Sequence, residues 1–213
     1  DYKKGKIKGN TYYYDFEKKA GISTALHTAE ALSATRYLMG ATTYECEGAE
    51  KLILLGDLLY FGPRNTLTER YDPRGVIGLL NENREKLLCV RGNCDAEVDQ
   101  MVLDFPIMAE YAYLCIDGYN IILTHGHKIN KENAEFLRRG EILIHGHTHI
   151  PCIEKFGEGN IYINPGSTTY PKENNPPSYM IYEDGAFEIK RLDSGEIIYS
   201  GEINLKMTLS ENN

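Results

Sequence analysis

Short apolar runs alternate with helical patterns over the middle of the chain. Ala34 to Cys46 repeats apolar residues at a helical period, and Lys51 to Leu55 is an apolar run typical of a buried strand. Asp72-Pro73 begins a second helix, because Asp72 can cap its first turn and proline suits the first helical position. Lys86 to Val90 is then the next strand. This alternation predicts an α/β fold.

Strand and turn patterns dominate the second half of the chain. Asp117-Gly118 separates two apolar stretches and is a strong hairpin signal, and Glu141 to His145 predicts a further strand. Between them, Lys131 to Arg139 predicts a short helix. From Cys152 onward, short strands are separated by glycine-containing turns, which predicts an antiparallel sheet. Near the amino end, by contrast, Ile22 to Leu32 indicates helix or coil rather than a buried strand.

Four of the apolar runs deliver side chains that are suited to binding a metal ion. These are Gly56-Asp57, Gly92-Asn93-Cys94-Asp95, Thr124-His125-Gly126-His127 and His145-Gly146-His147-Thr148-His149. Side chains alternate along an extended backbone, so His-x-His places two imidazoles on the same side. A lone histidine is more often a surface or core residue, and a single His-x-His pair also occurs by chance. Four strand ends that each supply nitrogen or oxygen donors favour a metal site over that interpretation.

The ordered motifs resemble those of the calcineurin-like metallophosphoesterase superfamily. Three further segments narrow the resemblance to the YfcE-type phosphodiesterases: Leu58 to Asn65, Arg91 to Gln100 and Asn164-Pro165-Gly166-Ser167. It covers the chain from about Ser33 to about Leu205. The resemblance implies one domain with a four-layer α/β/β/α sandwich, formed by residues 33–207. Residues 1–32 are then a divergent amino-terminal segment of uncertain structure, which we expect to belong to the same domain.

The resemblance also implies a site with two divalent metal ions. By this resemblance Asp57 bridges the ions, Asn93, His125 and His147 complete one of them, and His149 binds the other. Carboxylate, amide and imidazole donors suit manganese, with zinc or iron as alternatives. Such a pair of ions activates a water for in-line attack on phosphorus, so no protein nucleophile is needed. The implied catalytic set is Asp57, Asn93, Asp95 and His147.

Three neighbouring residues are candidates for contact with the substrate: Arg64, Cys94 and His127. Arg64 can bind a phosphate through its bidentate fork, or it can cap a nearby strand. Cys94 occupies the place of a histidine in relatives that act on phosphoproteins, and a thiol is a poor general acid near neutrality. Protonation of the leaving group then falls to water or His127, which favours substrates with good leaving groups. Asp95 either orients a metal ligand or stabilises its own turn.

The superfamily's Asp-x-His motif is missing from residues 1 to 50. Aligning Ala25-Leu26-His27 with the motif keeps the histidine, whereas an ungapped alignment places Ala29-Glu30-Ala31 there and keeps neither ligand. Either the chain is trimmed or altered, or residues 1–32 are divergent and the metal site that uses His149 is impaired. His145, like His127, matches no metal position of the family.

Length, charge and cysteine content agree with a single-domain enzyme. The chain has 213 residues and a formal net charge of −8, which argues against a broad nucleic-acid surface. Its cysteines are five, an odd number, which predicts reduced thiols and not a disulfide framework: Cys46, Cys89, Cys94, Cys115 and Cys152. No apolar run approaches the roughly 18 residues that span a membrane. We therefore expect a cytoplasmic protein with a small phosphodiester substrate, and a homo-oligomer stays open.

A catalytically impaired protein of the same fold that serves as a binding or scaffold protein is the alternative function. The superfamily includes such a subunit in the retromer, and the missing Asp-x-His favours it. The set Asp57, Asn93, His125, His147 and His149 favours the enzyme. A purely structural metal site is the third reading. It is disfavoured because structural zinc is usually closed by four cysteine or histidine ligands.

Overall fold

A computed structural model of the chain describes residues 11–16, 20–23, 49–60, 62–63 and 72–202. The predicted helix Ala34 to Cys46 lies outside the described residues, as do Arg64, His27 and Glu30. The described residues therefore include the four motif-bearing loops but not the region where the Asp-x-His motif is expected.

The described residues form two six-stranded sheets with a few short helices. The strands are β1 (Thr11–Phe16), β2 (Ala20–Ser23), β3 (Lys51–Leu54), β4 (Leu87–Cys89), β5 (Tyr111–Ile116), β6 (Tyr119–Thr124), β7 (Ile142–His145), β8 (Cys152–Phe156), β9 (Asn160–Asn164), β10 (Ser178–Glu183), β11 (Ala186–Arg191) and β12 (Ile197–Glu202). The helices are α1 (Pro73–Glu82), α2 (Glu97–Gln100) and a 3₁₀ turn at Arg84–Lys86.

The order of the strands places the four motif loops at the ends of parallel strands. The first sheet has the order β1-β5-β6-β7-β9-β8 and the second β12-β11-β10-β2-β3-β4. β6 and β7 are parallel neighbours in the first sheet, and β3 and β4 are parallel neighbours in the second. Since the carboxyl ends of parallel neighbours lie at the same edge, each sheet presents two motif loops together.

The two sheets face each other across one apolar core. This inner core contains side chains from the second sheet, such as Ile53 and Val90, and from the first sheet, such as Leu123 and Ile144. Each of these four side chains is completely excluded from solvent. Leu52 and Leu54 of β3 belong to a second apolar cluster, so both faces of this strand are buried, as its continuous apolar run predicted.

Helix α1 covers the outer face of the second sheet. Its buried residues Val76 and Leu80 join a second apolar cluster with Leu52 and Leu54 of that sheet. The Asp72 carboxylate accepts a hydrogen bond of 3.0 Å from the Gly75 amide, so the predicted N-cap is confirmed.

Residues 131–139 cover part of the outer face of the first sheet, but they form turns and not the predicted helix. Asparagine side chains explain the difference. The Glu132 amide donates to Asn130 Oδ1 at 3.0 Å, and Asn133 Nδ2 donates to the Lys128 carbonyl at 2.6 Å. Such local bonds compete with helical ones. The predicted helix Lys131 to Arg139 is therefore wrong, while the four-layer α/β/β/α sandwich is confirmed.

Most predicted strands are confirmed, including the hairpin at Asp117-Gly118, where β5 and β6 pair antiparallel. Two predictions need correction. The strands after Cys152 do not form one antiparallel sheet, because β8 and β9 join the first sheet, β9 lies parallel to β7, and β10 to β12 belong to the second sheet. Ile22 lies in a strand, since β2 pairs with β3 and β10.

None of the helices described is long and apolar enough to span a membrane.

Substitution of Ile144 by alanine tests the inner core. Ile144 is completely buried, so Ile144→Ala should lower the free energy of unfolding by about 2–5 kcal/mol through lost burial and a residual cavity. Ile197 is 49% exposed on β12, and Ile197→Ala should cost under about 1 kcal/mol. Urea unfolding of the two variants measures both. Equal losses would contradict a core centred between the sheets.

Candidate metal centre

The four motif loops bring oxygen and nitrogen donors together around one ring nitrogen of His125. His125 Nε2 lies 3.0 Å from Asn93 Oδ1, 3.1 Å from His147 Nδ1 and 3.4 Å from Asp57 Oδ2. Asp57 and Asn93 follow strands of the second sheet, and His125 and His147 follow strands of the first. The cluster therefore forms where the two sheets meet.

Backbone carbonyls fix the orientation of two histidine rings. His125 Nδ1 lies 2.6 Å from the Leu55 carbonyl, and His149 Nδ1 lies 2.7 Å from the Tyr170 carbonyl. A carbonyl only accepts, so in each pair the Nδ1–H donates, and in the neutral ring Nε2 is the nitrogen without a proton. This arrangement is typical of metal-ligating histidines, whose other nitrogen donates to a carbonyl or carboxylate.

Asp95 holds the loop that presents Asp57. Its carboxylate accepts from the backbone amides of Asp57 and Leu58, both at 2.8 Å, and from the Gly92 amide at 2.7 Å. Burial raises the pKa of Asp95, and these three amides oppose that rise. Because the carboxylate joins two loops that are distant in sequence, the geometry favours an orienting role over a plain turn role.

Close backbone contact between those two loops requires glycine. Gly56 has φ of 91°, and a β-carbon there would collide with the backbone of Gly92. A β-carbon at Gly92 would in turn collide with the carboxylate and amide nitrogen of Asp57. Asp57 itself has φ of 58°, and its Oδ1 accepts from the Cys94 amide at 2.8 Å. The Asp57 side chain is thus held in one direction by its surroundings.

Asn164 holds the loop that presents His147 and His149. Both histidines have left-handed backbone conformations, with φ of 62° and 63°, which are costly for residues other than glycine. Asn164 Nδ2 donates to the Gly146 carbonyl and to Thr148 Oγ1, each at 2.9 Å. These two partners flank His147, and Asn164 is completely buried. The sequence marked Asn164 only as part of a family motif and missed this role.

The electrostatic environment keeps most of the clustered imidazoles neutral near pH 7. Burial lowers the pKa of His147 and of His149, and nearby positive charges contribute to both shifts. At His125 burial also acts to lower the pKa, but the hydrogen bond and charge of Asp57 outweigh it and the pKa is raised. A neutral ring with a bare nitrogen is the form that binds metal.

His145 and His127 occupy different surroundings. His145 is a core residue, 3% exposed, with its ring 4.4 Å from that of Tyr162, and burial lowers its pKa to about 4. His127 lies beside the cluster, with its ring 5.3 Å from that of His125. Its Nδ1 is buried and has no hydrogen-bond partner in the described part of the chain. His127 is thus close enough to act at the site, whereas His145 packs beneath it.

The Cys94 thiol lies at the same edge of the cluster. Burial and the charges of Asp57 and Asp95 raise its pKa to about 12, so it stays protonated near neutrality. Asn93 Nδ2 lies 3.2 Å from the sulfur. A thiol this weakly acidic agrees with the expectation that Cys94 is a poor proton donor to a leaving group.

The donors fit a divalent ion in chemistry and spacing. Ligand atoms that share one ion at about 2.0–2.2 Å lie roughly 3–3.5 Å from one another. The distances around His125 Nε2 are in that range. Among the residues that the structure describes, however, His, Cys, Asp and Glu side chains alone form no group of three or more arranged to hold a metal ion. Binding here consequently requires the Asn93 amide oxygen or small rotations of these side chains.

Comparison with known proteins gives consistent matches. The family model "Calcineurin-like phosphoesterase superfamily domain" matches residues 19–184. Phosphodiesterase YfcE of Escherichia coli K12 is 43% identical over 157 residues, which cover 74% of this chain and 85% of that protein.

Solved structures agree with the sequence matches. The structure of YfcE, described as a phosphoesterase from E. coli, superposes with a TM-score of 0.78 at 39% identity and covers 87% of this chain and 100% of that one. Vps29 of Entamoeba histolytica in complex with zinc has a TM-score of 0.57 at 20% identity, covering 87% and 99%, and shows the likeness of fold alone.

Substitution of Asn164 by alanine tests its hold on the histidine loop. Asn164→Ala should weaken Mn²⁺ binding about 10–100-fold, as is common when a residue that orients a ligand is lost. Asn160 on the same strand is a matched control, since its buried Nδ2 also donates to two carbonyls, those of Arg138 and Glu141, away from the cluster. Both variants should lose about 1–3 kcal/mol of stability. Titration calorimetry and urea unfolding separate the effects, and equal loss of Mn²⁺ affinity in both would refute the role.

Proposed function

The chain belongs to the calcineurin-like phosphoesterase superfamily, and on that basis we propose that it is a metal-dependent phosphodiesterase acting on small phosphodiesters. The observation that supports this most directly is the convergence of Asp57, Asn93 and His147 on Nε2 of His125. Identity of 43% over 85% of the length of phosphodiesterase YfcE supports the choice of diesters.

The proposed mechanism assigns a role to each member of the cluster. Asp57, Asn93, His125 and His147 would hold one divalent ion, and Asp57 and His149 would contribute to a second. When bound, such ions activate a water for in-line attack and neutralise charge on the phosphoryl oxygens. Asp57 supplies the anionic ligand, and Asp95 keeps it oriented through the backbone amides of its loop. Manganese is the proposed metal, with zinc or iron as alternatives.

Substrate contacts follow from the groups around the ligands. The pKa of the Cys94 thiol is raised, so the thiol is too weak an acid to protonate a poor leaving group near neutrality. Protonation of the leaving group is left to water or to His127, whose ring lies beside those of His125 and His147 and whose pKa is lowered by burial. Arg64 is proposed to bind a phosphate oxygen through its guanidinium. Together these assignments favour diesters with good leaving groups.

The two ions are proposed to differ in affinity. The ion at His125 has all its expected ligands, whereas the ion at His149 lacks the Asp-x-His pair, with His27 or Glu30 as candidate replacements. We also propose that residues 33–207 form the catalytic domain together with the preceding segment. Strands β1 and β2 support this, since each pairs within one of the two sheets.

The second candidate function is a catalytically impaired binding or scaffold protein of the same fold. The missing Asp-x-His favours it. The hydrogen-bonded support of Asp57 and of the His147 loop favours the enzyme, because catalysis needs ligands that are held in a fixed geometry.

Metal removal gives the first test of the proposed function. Chelation should abolish hydrolysis of an activated aryl phosphodiester, and added Mn²⁺ should restore it, because the described cluster holds donors for a metal and the mechanism needs no protein nucleophile. Full activity in a sample shown by elemental analysis to be metal-free would refute the mechanism.

Comparison of Asp57→Asn with Arg64→Ala gives the second test of the proposed function. Asp57→Asn should lower kcat/KM at least about 100-fold, since it removes the shared anionic ligand, whereas Arg64→Ala should mainly raise KM. Steady-state kinetics at saturating Mn²⁺ separates the two. If both variants lost activity equally and through KM alone, Asp57 would not be the bridging ligand.

A further inference from the structure

Residues 170–175, which follow the Asn164 motif, are hydrogen bonded to His149 at two points. The His149 ring donates from Nδ1 to the Tyr170 carbonyl at 2.7 Å, and the Lys172 amide donates to the His149 carbonyl at 3.3 Å. Both bonds involve backbone atoms of the segment, so they act whatever its side chains are. They fix the backbone of Lys172 next to a proposed metal ligand.

The same segment is rigid on the far side of Lys172. Its carbonyl accepts from Asn175 at 3.1 Å through the amide and at 2.9 Å through Nδ2. The two residues between, Glu173 and Asn174, both have left-handed conformations, with φ of 54° and 60°. Tyr170 is held in turn by Ser167 Oγ, which accepts from its amide at 2.9 Å. The backbone of Lys172 is therefore held by hydrogen bonds on both sides.

The Lys172 side chain is exposed, and within the described residues no carboxylate lies at ion-pair distance from its ammonium. The bond from its amide to the His149 carbonyl places the Lys172 backbone beside the cluster, and a flexible four-carbon stem lets the ammonium reach a group held there. A positive charge so placed also opposes the binding of a metal cation. An anion held at the same site, such as a phosphate group, would instead be attracted by this charge.

We propose that Lys172 binds the phosphate group of the substrate beside the metal ligands His147 and His149. The inference rests on the proposed function, because it places the substrate phosphate at that cluster. Lysine binds phosphate as a compact point charge and makes no fixed fork, which suits a group that moves during in-line displacement. Lys172 was not among the residues that the sequence singled out, since nothing local distinguishes it from a solvated surface lysine.

The test measures two affinities whose changes have opposite signs. In the Mn²⁺-loaded protein, Lys172→Ala should lower the affinity for inorganic phosphate about tenfold to a hundredfold, as expected for loss of a charged contact. Lys172→Arg should retain most of it. In the phosphate-free protein, Lys172→Ala should bind Mn²⁺ as tightly as the parent or more tightly. Titration calorimetry gives both values without turnover.

Lys190→Ala is the matched control, because it removes the same charge from β11, where Lys190 pairs with Glu188 at 3.3 Å. It should leave both affinities unchanged. Unaltered phosphate affinity in Lys172→Ala would overturn the inference. Weakened binding of both Mn²⁺ and phosphate would overturn it as well, since that result means the lysine only supports the loop.

The outcome is separable from that of the proposed function. A protein that binds phosphate through Lys172 but hydrolyses no diester would refute the enzyme and retain the binding site. A protein that hydrolyses diesters with the same KM in Lys172→Ala would retain the enzyme and refute this role.

Discussion

The geometry of the site depends on one buried carboxylate, that of Asp95. It joins the ends of β3 and β4 by accepting three backbone amides, two from the Asp57 loop and one from Gly92. Burying a carboxylate is costly unless its oxygens are hydrogen bonded, so these loops have little freedom to separate. Gly56 and Gly92 permit the close approach that the carboxylate needs. Asp57 is positioned as a consequence of this arrangement and not by its own rotamer alone.

In the first sheet a different kind of interaction positions the histidines. Instead of a buried charge, an uncharged amide, Asn164, holds a loop with two left-handed histidines. The two halves are then joined by the bond from His125 to the Leu55 carbonyl, which connects β6 of one sheet to the end of β3 in the other. Leu55 is completely buried in the inner core. Packing between the sheets therefore sets the separation of the proposed metal ligands, so the geometry of the site depends on the core.

The sequence predicted what local patterns determine. Continuous apolar runs predicted β3, β4 and β7, and Asp117-Gly118 predicted the hairpin, because both signals are contained within a few residues. Ala20–Ser23 has one large apolar residue and becomes a strand through β3 and β10, which lie far away in sequence. The predicted helix after His127 failed because asparagine side chains bond the backbone there. The orienting roles of Asp95 and Asn164 depend on contacts between distant loops, which no local pattern contains.

Charge explains why recognition at this site has to be local. At long range an anionic phosphodiester experiences the summed charge of the protein, and a formal net charge of −8 repels it. Attraction must come from groups within a few ångströms of the phosphorus, where screening by salt is weakest. The proposed divalent ion at His125 and the exposed Lys172, whose amide bonds to the His149 carbonyl, are groups of that kind. Selectivity for the substrate is consequently expected to lie in this edge and in the residues 170–175 that border it, and not in the wider surface.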